Sequence, residues 1–283
     1  MKRVDLSGKT IIITGASAGI GEATARLCAQ EGMNLVLSAR RLDRLEALAA
    51  ELENVLKRDV CALIPGDVTE AGINERMIEA AHERFDGFHA VFANAGYALV
   101  LPVIDESAEQ TRRMFDVNFF ACLDLCKASA RHLREHGRRG HLVMCSSSVS
   151  RFALPEHGTY AATKAAQHQV CAAMRHELWD DGIYVSSVHP ITTTTEFFEV
   201  AAEQSGRPRP IGGVPGHTPK FMLQSSETVA KAVVKCLKRP RPEVWTSTLV
   251  RTVAGVMTMS PRFYDFIMRR NVVPKEKAAR GEE

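Results

Sequence analysis

Short apolar, β-branched runs alternate along this chain with longer stretches whose apolar residues recur at helical spacing. Lys9-Thr10-Ile11-Ile12-Ile13-Thr14 is the clearest run, apolar on both faces, as a strand buried within a parallel sheet must be. Runs of this kind predict strands near 10–14, 33–38, 60–64, 88–93, 141–145, 183–188 and 243–246. Helices are predicted near 19–31, 41–53, 70–85, 107–135, 157–180 and 226–237. Such alternation implies an α/β fold: one doubly wound parallel sheet of about seven strands, helices on both faces and right-handed crossovers. Ligands bind beyond the carboxyl ends of the strands in such sheets. Gly15, Asn94, Ser147 and Pro190 all follow predicted strand ends, which gathers them on one rim.

Composition narrows the function classes. A chain of 283 residues is large for one domain but normal for a single α/β sheet, and no linker divides it. We expect one domain over 1–245 and an amphipathic extension over 246–283. A net charge of +3, without a basic stripe interleaved with aromatics, argues against nucleic acid as a partner. Seven cysteines, none in a Cys-x-x-Cys pair, read as free thiols in a reducing compartment. Cys122 and Cys126 share a helix face, but two thiols make a poor metal site, so no metal is expected. Met1 to Lys9 contains no long apolar stretch of the signal-peptide kind, so the expected location is cytoplasmic.

Two motifs carry chemistry. The first predicted strand runs into Thr14-Gly15-Ala16-Ser17-Ala18-Gly19-Ile20-Gly21 and then a helix. Strand, glycine turn and helix N-terminus form the context of a dinucleotide-binding loop. Glycine lets the backbone approach a pyrophosphate, and the helix start offers free N–H groups. Downstream, Tyr160-Ala161-Ala162-Thr163-Lys164 sets a phenol and an ammonium one helical turn apart on a shared face. An isolated tyrosine, with a pKa of about 10, is a poor acid near neutrality. A neighbouring positive charge is expected to pull that pKa down and make Tyr160 a proton donor.

The glycine spacing G-x-x-x-G-x-G, taken with Tyr160 and Lys164, resembles the short-chain dehydrogenase/reductase family. Further landmarks fall in the family's order. Ala93-Asn94-Ala95-Gly96 resembles its Asn-Asn-Ala-Gly after the fourth strand, and Asp67-Val68 its adenine-contacting pair. Asn118 matches the asparagine of its catalytic tetrad, and Ser147, thirteen residues before Tyr160, its serine. The resemblance spans about Leu6 to Trp245 and implies a Rossmann-like fold. It implies a catalytic set of Asn118, Ser147, Tyr160 and Lys164, with Asn118 positioning a water beside Lys164. Cofactor contacts are expected from Gly15, Ser17, Ala18, Gly19, Ile20, Gly21, Asp67, Val68, Asn94, Ala95, Gly96, Tyr160, Lys164, Pro190 and Thr195. Two positions depart from the pattern. Ala93 replaces the first asparagine, and Ile191 replaces the glycine after Pro190. A β-branched residue avoids positive φ, so the turn at Ile191 must run differently.

The second strand speaks to the choice of cofactor. An NAD site normally places an acid there for the ribose hydroxyls. Here Ala39-Arg40-Arg41 follows, and two guanidiniums suit a charged 2′-phosphate, so Arg40 and Arg41 point to NADP(H). Arg40 and Arg41 could instead cap a helix start and face solvent, an alternative that suits Arg41 better than Arg40. The resulting expectation is an NADP(H)-dependent oxidoreductase acting between a ketone and a secondary alcohol.

Other features leave alternatives open. His132 and His136 lie one turn apart without a metal motif, His168 reads as a helix-packing or subunit-contact residue, and His157 and His189 suit structural roles as well as substrate contact. The glycine- and proline-rich segment 196–224 resembles the family's substrate lid. Its Phe197, Phe198, Phe221, Met222 and Leu223 either meet an apolar substrate or pack the lid onto the body. Beyond Pro242, apolar and aromatic residues beside arginines read as an interfacial membrane anchor, a cap on the substrate pocket or a subunit contact. Apolar residues around the long helices, including Phe119, Phe120, Leu123, Leu125 and Val170, predict a homodimer or homotetramer. Two further functions remain in view: a catalytically silent NADP(H)-binding regulatory protein, and a membrane-surface reductase acting on a lipid-like substrate.

Overall fold

A computed structural model describes residues 3–208, Val214, Pro219 and 222–274. Apolar runs become strands where both faces are covered. β1 (Thr10–Thr14) lies at the centre, flanked by β2 (Asn34–Ala39) and β4 (Ala90–Ala93). β3 (Cys61–Pro65), β5 (Gly140–Cys145), β6 (Ile183–His189) and β9 (Glu243–Trp245) complete a parallel sheet in the order β3-β2-β1-β4-β5-β6-β9. Neighbouring side chains point to opposite faces of a strand, so one run feeds two cores. Ile11 and Ile13 pack with Cys28, Leu45, Val229 and Leu237 on one side. Ile12 packs with Met77, Leu125, Cys171 and Met174 on the other.

The first face is covered by α1 (Gly19–Gln30), α2 (Leu42–Leu56) and α8 (Ser226–Lys238), the second by α3 (Ile73–Phe85), α5 (Ala121–Glu135) and α6 (Gly158–Glu177). The long helix predicted over 107–135 is not continuous. α4 (Ala108–Phe115), started by a Ser107–Gln110 capping box, passes through a π-helical turn over Asp116–Phe120 before α5 begins. That widened turn centres on Asn118, and such turns recur at functional sites.

After β6 the chain departs from a simple Pro-Gly turn. Ile191 does not take a positive φ; its carbonyl accepts from the Thr193 hydroxyl at 2.8 Å, and the chain enters a short strand β7 (Thr192–Thr194). β7 pairs in parallel with β8 (Leu223–Ser225), forming a two-stranded sheet that the sequence pattern did not predict. α7 (Phe197–Gln204) follows β7. Pro210, Gly212, Gly213, Pro215, Gly216 and Phe221 of the expected lid lie outside the described residues, as do 275–283 of the extension.

The described part of the extension forms α9 (Thr248–Met259) and α10 (Pro261–Ile267), each started by a serine cap. The Thr258 hydroxyl donates to the Arg151 carbonyl and the Tyr264 hydroxyl to the Ala153 carbonyl, at 3.2 and 2.7 Å. Both bonds tie the extension to the loop after Ser147. Among the described residues, no helix is long and apolar enough to cross a membrane.

Candidate active site

The glycine loop leaves β1 with Gly15 and Gly19 at φ +68° and +59°, a region open to glycine at little cost. Gly21 is required for space: a Cβ there would stand 2.3 Å from the Gly15 carbonyl oxygen. Ala18, the N-cap of α1, contributes no capping side chain. The helix start therefore offers backbone N–H groups and its dipole to an anion. Asn94 fixes the neighbouring strand end; its amide donates to the Thr14 carbonyl, and the Asn94 and Ala95 N–H groups share the Thr14 hydroxyl. Thr195 closes the loop from the far side, its methyl 3.0 Å from where a Gly19 Cβ would lie. Close backbone packing and a helix start without a capping side chain are features that an anion site requires.

Three consecutive serines follow β5, and the structure separates them. Ser146 Oγ donates to the Lys164 carbonyl at 2.8 Å, which fastens β5 to α6. The Ser148 N–H donates to the Pro190 carbonyl at 2.9 Å. The Ser147 hydroxyl instead accepts from the Val149 N–H at 3.4 Å and stands near enough to the Tyr160 phenol to lower its pKa. Lys164, one turn along α6, is almost wholly buried, and its Nζ donates to the Cys145 carbonyl at 2.7 Å. Ser147, Tyr160 and Lys164 therefore converge at the carboxyl end of β5, one strand away from β4.

The expected downward pull of Lys164 on the phenol is not found. Burial raises the Tyr160 pKa, the Cys145 thiol adds to the rise, and the nearby Ser147 hydroxyl opposes it. Burial also lowers the Lys164 pKa. The Lys164 ammonium lies 5.7 Å from the centroid of the Tyr160 ring and is bonded to a backbone carbonyl. Desolvation outweighs proximity here.

The family model for short chain dehydrogenase matches residues 9–206. The chain belongs to the short-chain dehydrogenase family. It is 27% identical to the uncharacterized oxidoreductase YxnA of Bacillus subtilis (strain 168), over 99% of this chain and 77% of that protein. A Burkholderia phymatum family member solved with NAD superposes with a TM-score of 0.78 over 95% of this chain and 98% of its own; at 22% identity the likeness concerns fold. The alcohol dehydrogenase of Thermococcus sibiricus, solved with 5-hydroxy-NADP, is 30% identical, with a TM-score of 0.70 over 84% of this chain and 95% of its own.

In this short-chain dehydrogenase, Asn118 is fully buried and tied to the loop after β4. Its Oδ1 accepts from the Tyr97 N–H at 2.9 Å, and its Nδ2 donates to the Tyr97 carbonyl at 2.8 Å. The Asn118 carbonyl accepts from Gln167 Nε2 at 2.5 Å. Gly96 lies between Asn118 and Lys164: a Cβ there would stand 2.9 Å from Asn118 Oδ1 and 3.5 Å from Lys164 Nζ.

His189 has a structural place behind Ser147. Its Nδ1 lies 3.1 Å from both the Ser147 carbonyl and the Ser150 hydroxyl, and its Nε2 lies 2.8 Å from Ser187 Oγ. The ring stacks on Trp245, with centroids 4.5 Å apart, and meets His168 edge-on. Burial lowers the His189 pKa to about 4. His157 sits at the N-cap of α6, its Nδ1 3.1 Å from the Pro155 carbonyl. His132 and His136 stack at 4.1 Å, and the described residues contain no group of three or more ligands able to hold a metal. The seven cysteines are all buried free thiols.

The arginines after β2 take different positions. Arg40 is exposed, whereas Arg41 donates to Ser17 Oγ in the glycine loop through Nε and Nη2 at 3.3 and 3.2 Å. Arg41 Nη1 also meets Glu196 at 2.9 Å, and Arg44 meets the other oxygen of that carboxylate at 2.6 Å. Arg44 and Glu196 were not singled out from sequence. Arg44 lies three residues after Arg41 on one helix face, the signal that could have found it. Asp67 is held by Arg113 at 2.6 Å and by Thr69, which together lower its pKa against burial. Val68 and Ala95 border a small crevice beside Thr14.

Proposed function

We propose that this protein is an NADP(H)-dependent reductase or dehydrogenase acting between a ketone and a secondary alcohol. The observation that carries the reading is the convergence of Ser147, Tyr160 and Lys164 at the end of β5, one strand from the glycine cradle. The nicotinamide, when bound, supplies hydride chemistry. Gly15, Ser17, Ala18, Gly19, Ile20 and Gly21 would hold the pyrophosphate, and Asp67 and Val68 the adenine. Asn94, Ala95, Gly96, Pro190 and Thr195 would line the path to the nicotinamide, with Arg40 and Arg41 serving the 2′-phosphate.

In reduction the Tyr160 hydroxyl gives its proton to the substrate oxygen, and in oxidation the phenolate takes it back. The Ser147 hydroxyl donates a second hydrogen bond to the same oxygen, which opposes the charge developing on it. A phenol whose pKa is raised in the free protein favours the protonated donor. Lys164, already desolvated, needs only to turn from Cys145 towards the phenol and the nicotinamide ribose to stabilise the phenolate. Asn118, locked to Tyr97, fixes the loop that carries Gly96 and would place a water beside Lys164. The test is NADPH consumption with a panel of ketones, repeated with Tyr160→Phe. An active parent and an inactive variant support the reading; turnover unaffected by the variant overturns it.

A second reading concerns location. Leu249, Val256, Met259, Phe263 and Phe266 of α9 and α10 are exposed, beside Arg251, Arg262, Arg269 and Arg270. Apolar side chains set among arginines suit an anionic membrane surface. Co-sedimentation with phosphatidylglycerol but not phosphatidylcholine vesicles supports peripheral attachment. Absence of binding to both overturns it.

A further inference from the structure

Glu196 and Phe197 are consecutive residues that reach opposite ends of the candidate cofactor site. The Glu196 carboxylate lies between two guanidiniums, with Oε2 2.9 Å from Arg41 Nη1 and Oε1 2.6 Å from Arg44 Nη1. Arg41 simultaneously holds Ser17 of the glycine loop. These hydrogen bonds keep the Glu196 pKa below the usual carboxylate range. The next ring in sequence, Phe197, lies tilted against the Tyr160 ring, with centroids 5.7 Å apart. Glu196 is the N-cap of α7, so little slack separates the two contacts. Thr195, immediately before them, rests on Gly19 and accepts from the Phe197 N–H at 3.2 Å.

We propose that Glu196 is an internal anion occupying the seat of the cofactor's 2′-phosphate, that Arg44 belongs to that seat, and that displacement of Glu196 lifts Phe197 from Tyr160. The inference rests on the NADP(H) reading above. A phosphate monoester carries about −1.5 to −2 charges near neutral pH and three acceptor oxygens. A carboxylate offers one charge and two oxygens, so the phosphate is the stronger partner for paired guanidiniums. The uncharged ribose of NAD(H) has no means of displacing Glu196. The carboxylate thus does two things: it costs NADP(H) some affinity, and it couples occupancy of the phosphate seat to exposure of the phenol. A ligand shifts such an equilibrium only through differential affinity for the two states, which here comes from the phosphate alone.

Equilibrium binding of NADPH and NADH to the full chain tests the first half. Glu196→Gln keeps the size of the side chain and removes its charge. It is expected to tighten NADPH binding by about tenfold, within the usual range of coupling between sites, and to leave NADH unchanged. Arg44→Ala is expected to weaken NADPH about tenfold and leave NADH unchanged. Parent protein that does not discriminate between the cofactors would remove the NADP(H) reading itself. A discriminating parent in which Glu196→Gln weakens NADPH or leaves it unchanged overturns the internal-anion proposal alone. The second half uses Phe197→Trp with adenosine 2′,5′-bisphosphate and adenosine 5′-phosphate as probes. A change in the introduced tryptophan's emission with the first probe only, beyond that of the parent, supports the coupling. Equal responses to both, or none, overturn it.

Discussion

The Lys164 ammonium donates to the Cys145 carbonyl oxygen at 2.7 Å, on the last residue of the strand that leads into Ser147. This bond satisfies a buried cation without using the phenol one turn away. The motif brings Tyr160 and Lys164 together, but it does not by itself set the protonation chemistry. Desolvation dominates both groups, raising the phenol pKa and lowering that of the ammonium.

Tyr160→Phe is expected to lower kcat by about 10²–10⁴-fold, the usual contribution of general acid–base catalysis, while NADPH affinity stays within about twofold, since the hydroxyl is one contact among many. Steady-state kinetics on an accepted ketone, with NADPH titration, measures both. Retention of most of the parent kcat would remove the assignment.

Arg41→Ala is expected to weaken NADPH more than NADH, because Arg41 meets the glycine loop. Arg40→Asp is expected to shift preference towards NADH by removing a cation and adding a ribose acceptor. The ratio of kcat/KM for the two cofactors decides each case. A shift with Arg40 and none with Arg41 would place the phosphate outside the Ser17–Arg41 corner.

Gly21→Ala adds a methyl 2.3 Å from the Gly15 carbonyl oxygen, a backbone atom with little room to yield. Overpacking of this kind typically costs about 1–3 kcal/mol. We expect a lower melting temperature together with loss of cofactor binding. A variant that binds NADPH as the parent does would show that the loop relaxes freely.

Acid should destabilise the fold through two buried histidines, His141 and His189, and the half-buried His89. Burial lowers the pKa of His89 and His189 to about 4 and of His141 to about 3. Below about pH 6.5 the unfolded chain takes up protons that these native histidines refuse. Their contribution to stability is therefore present above pH 6.5 and lost as pH falls towards 3–4. Urea midpoints measured from pH 8 to pH 4 should decline below about 6.5; a midpoint independent of pH across that range contradicts the account.

Light scattering should report a mass above 31.2 kDa, the mass of one chain. Phe120 is 49% exposed and packs edge-on against Phe119, which in turn meets Phe115. Leu125, by contrast, is core, and Leu123 and Val170 pack partly against it, so the apolar surface available for pairing is narrower than the helical pattern suggested. Replacement of Phe120 by aspartate should shift the mass towards 31.2 kDa. A parent that is already monomeric would refute the pairing.

The sheet was legible because Ile11, Ile12 and Ile13 are buried on both faces, and only a central strand asks for three such residues in succession. The break at Asp116–Phe120 was not legible: a π-helical turn uses the same residues as the α-helix around it. The β7–β8 pair was too short to impose a period. Tyr160, Lys164 and Ser147 were found by spacing, and they do converge. Which of Arg40 and Arg41 turns inward depends on the exact residue at which the chain leaves β2, a one-position matter that composition does not encode. The phenol's pKa depends on burial, which sequence proximity to an ammonium does not measure.

The stack of Trp245 on His189 has a consequence for the order of synthesis. His189 braces the Ser147 carbonyl, and its own outer face is covered by a strand made almost at the end of the chain. Emerging from the ribosome, the glycine loop can form once Asn94 and Thr195, both made before β9, have reached it. The serine loop waits for β9 to cross back and pair with β6. Such distant pairing is slow because loop closure must come before its reward. A nascent chain would then gain its nucleotide cradle well before it could move a proton, and a chain truncated ahead of Glu243 would hold the first without ever acquiring the second.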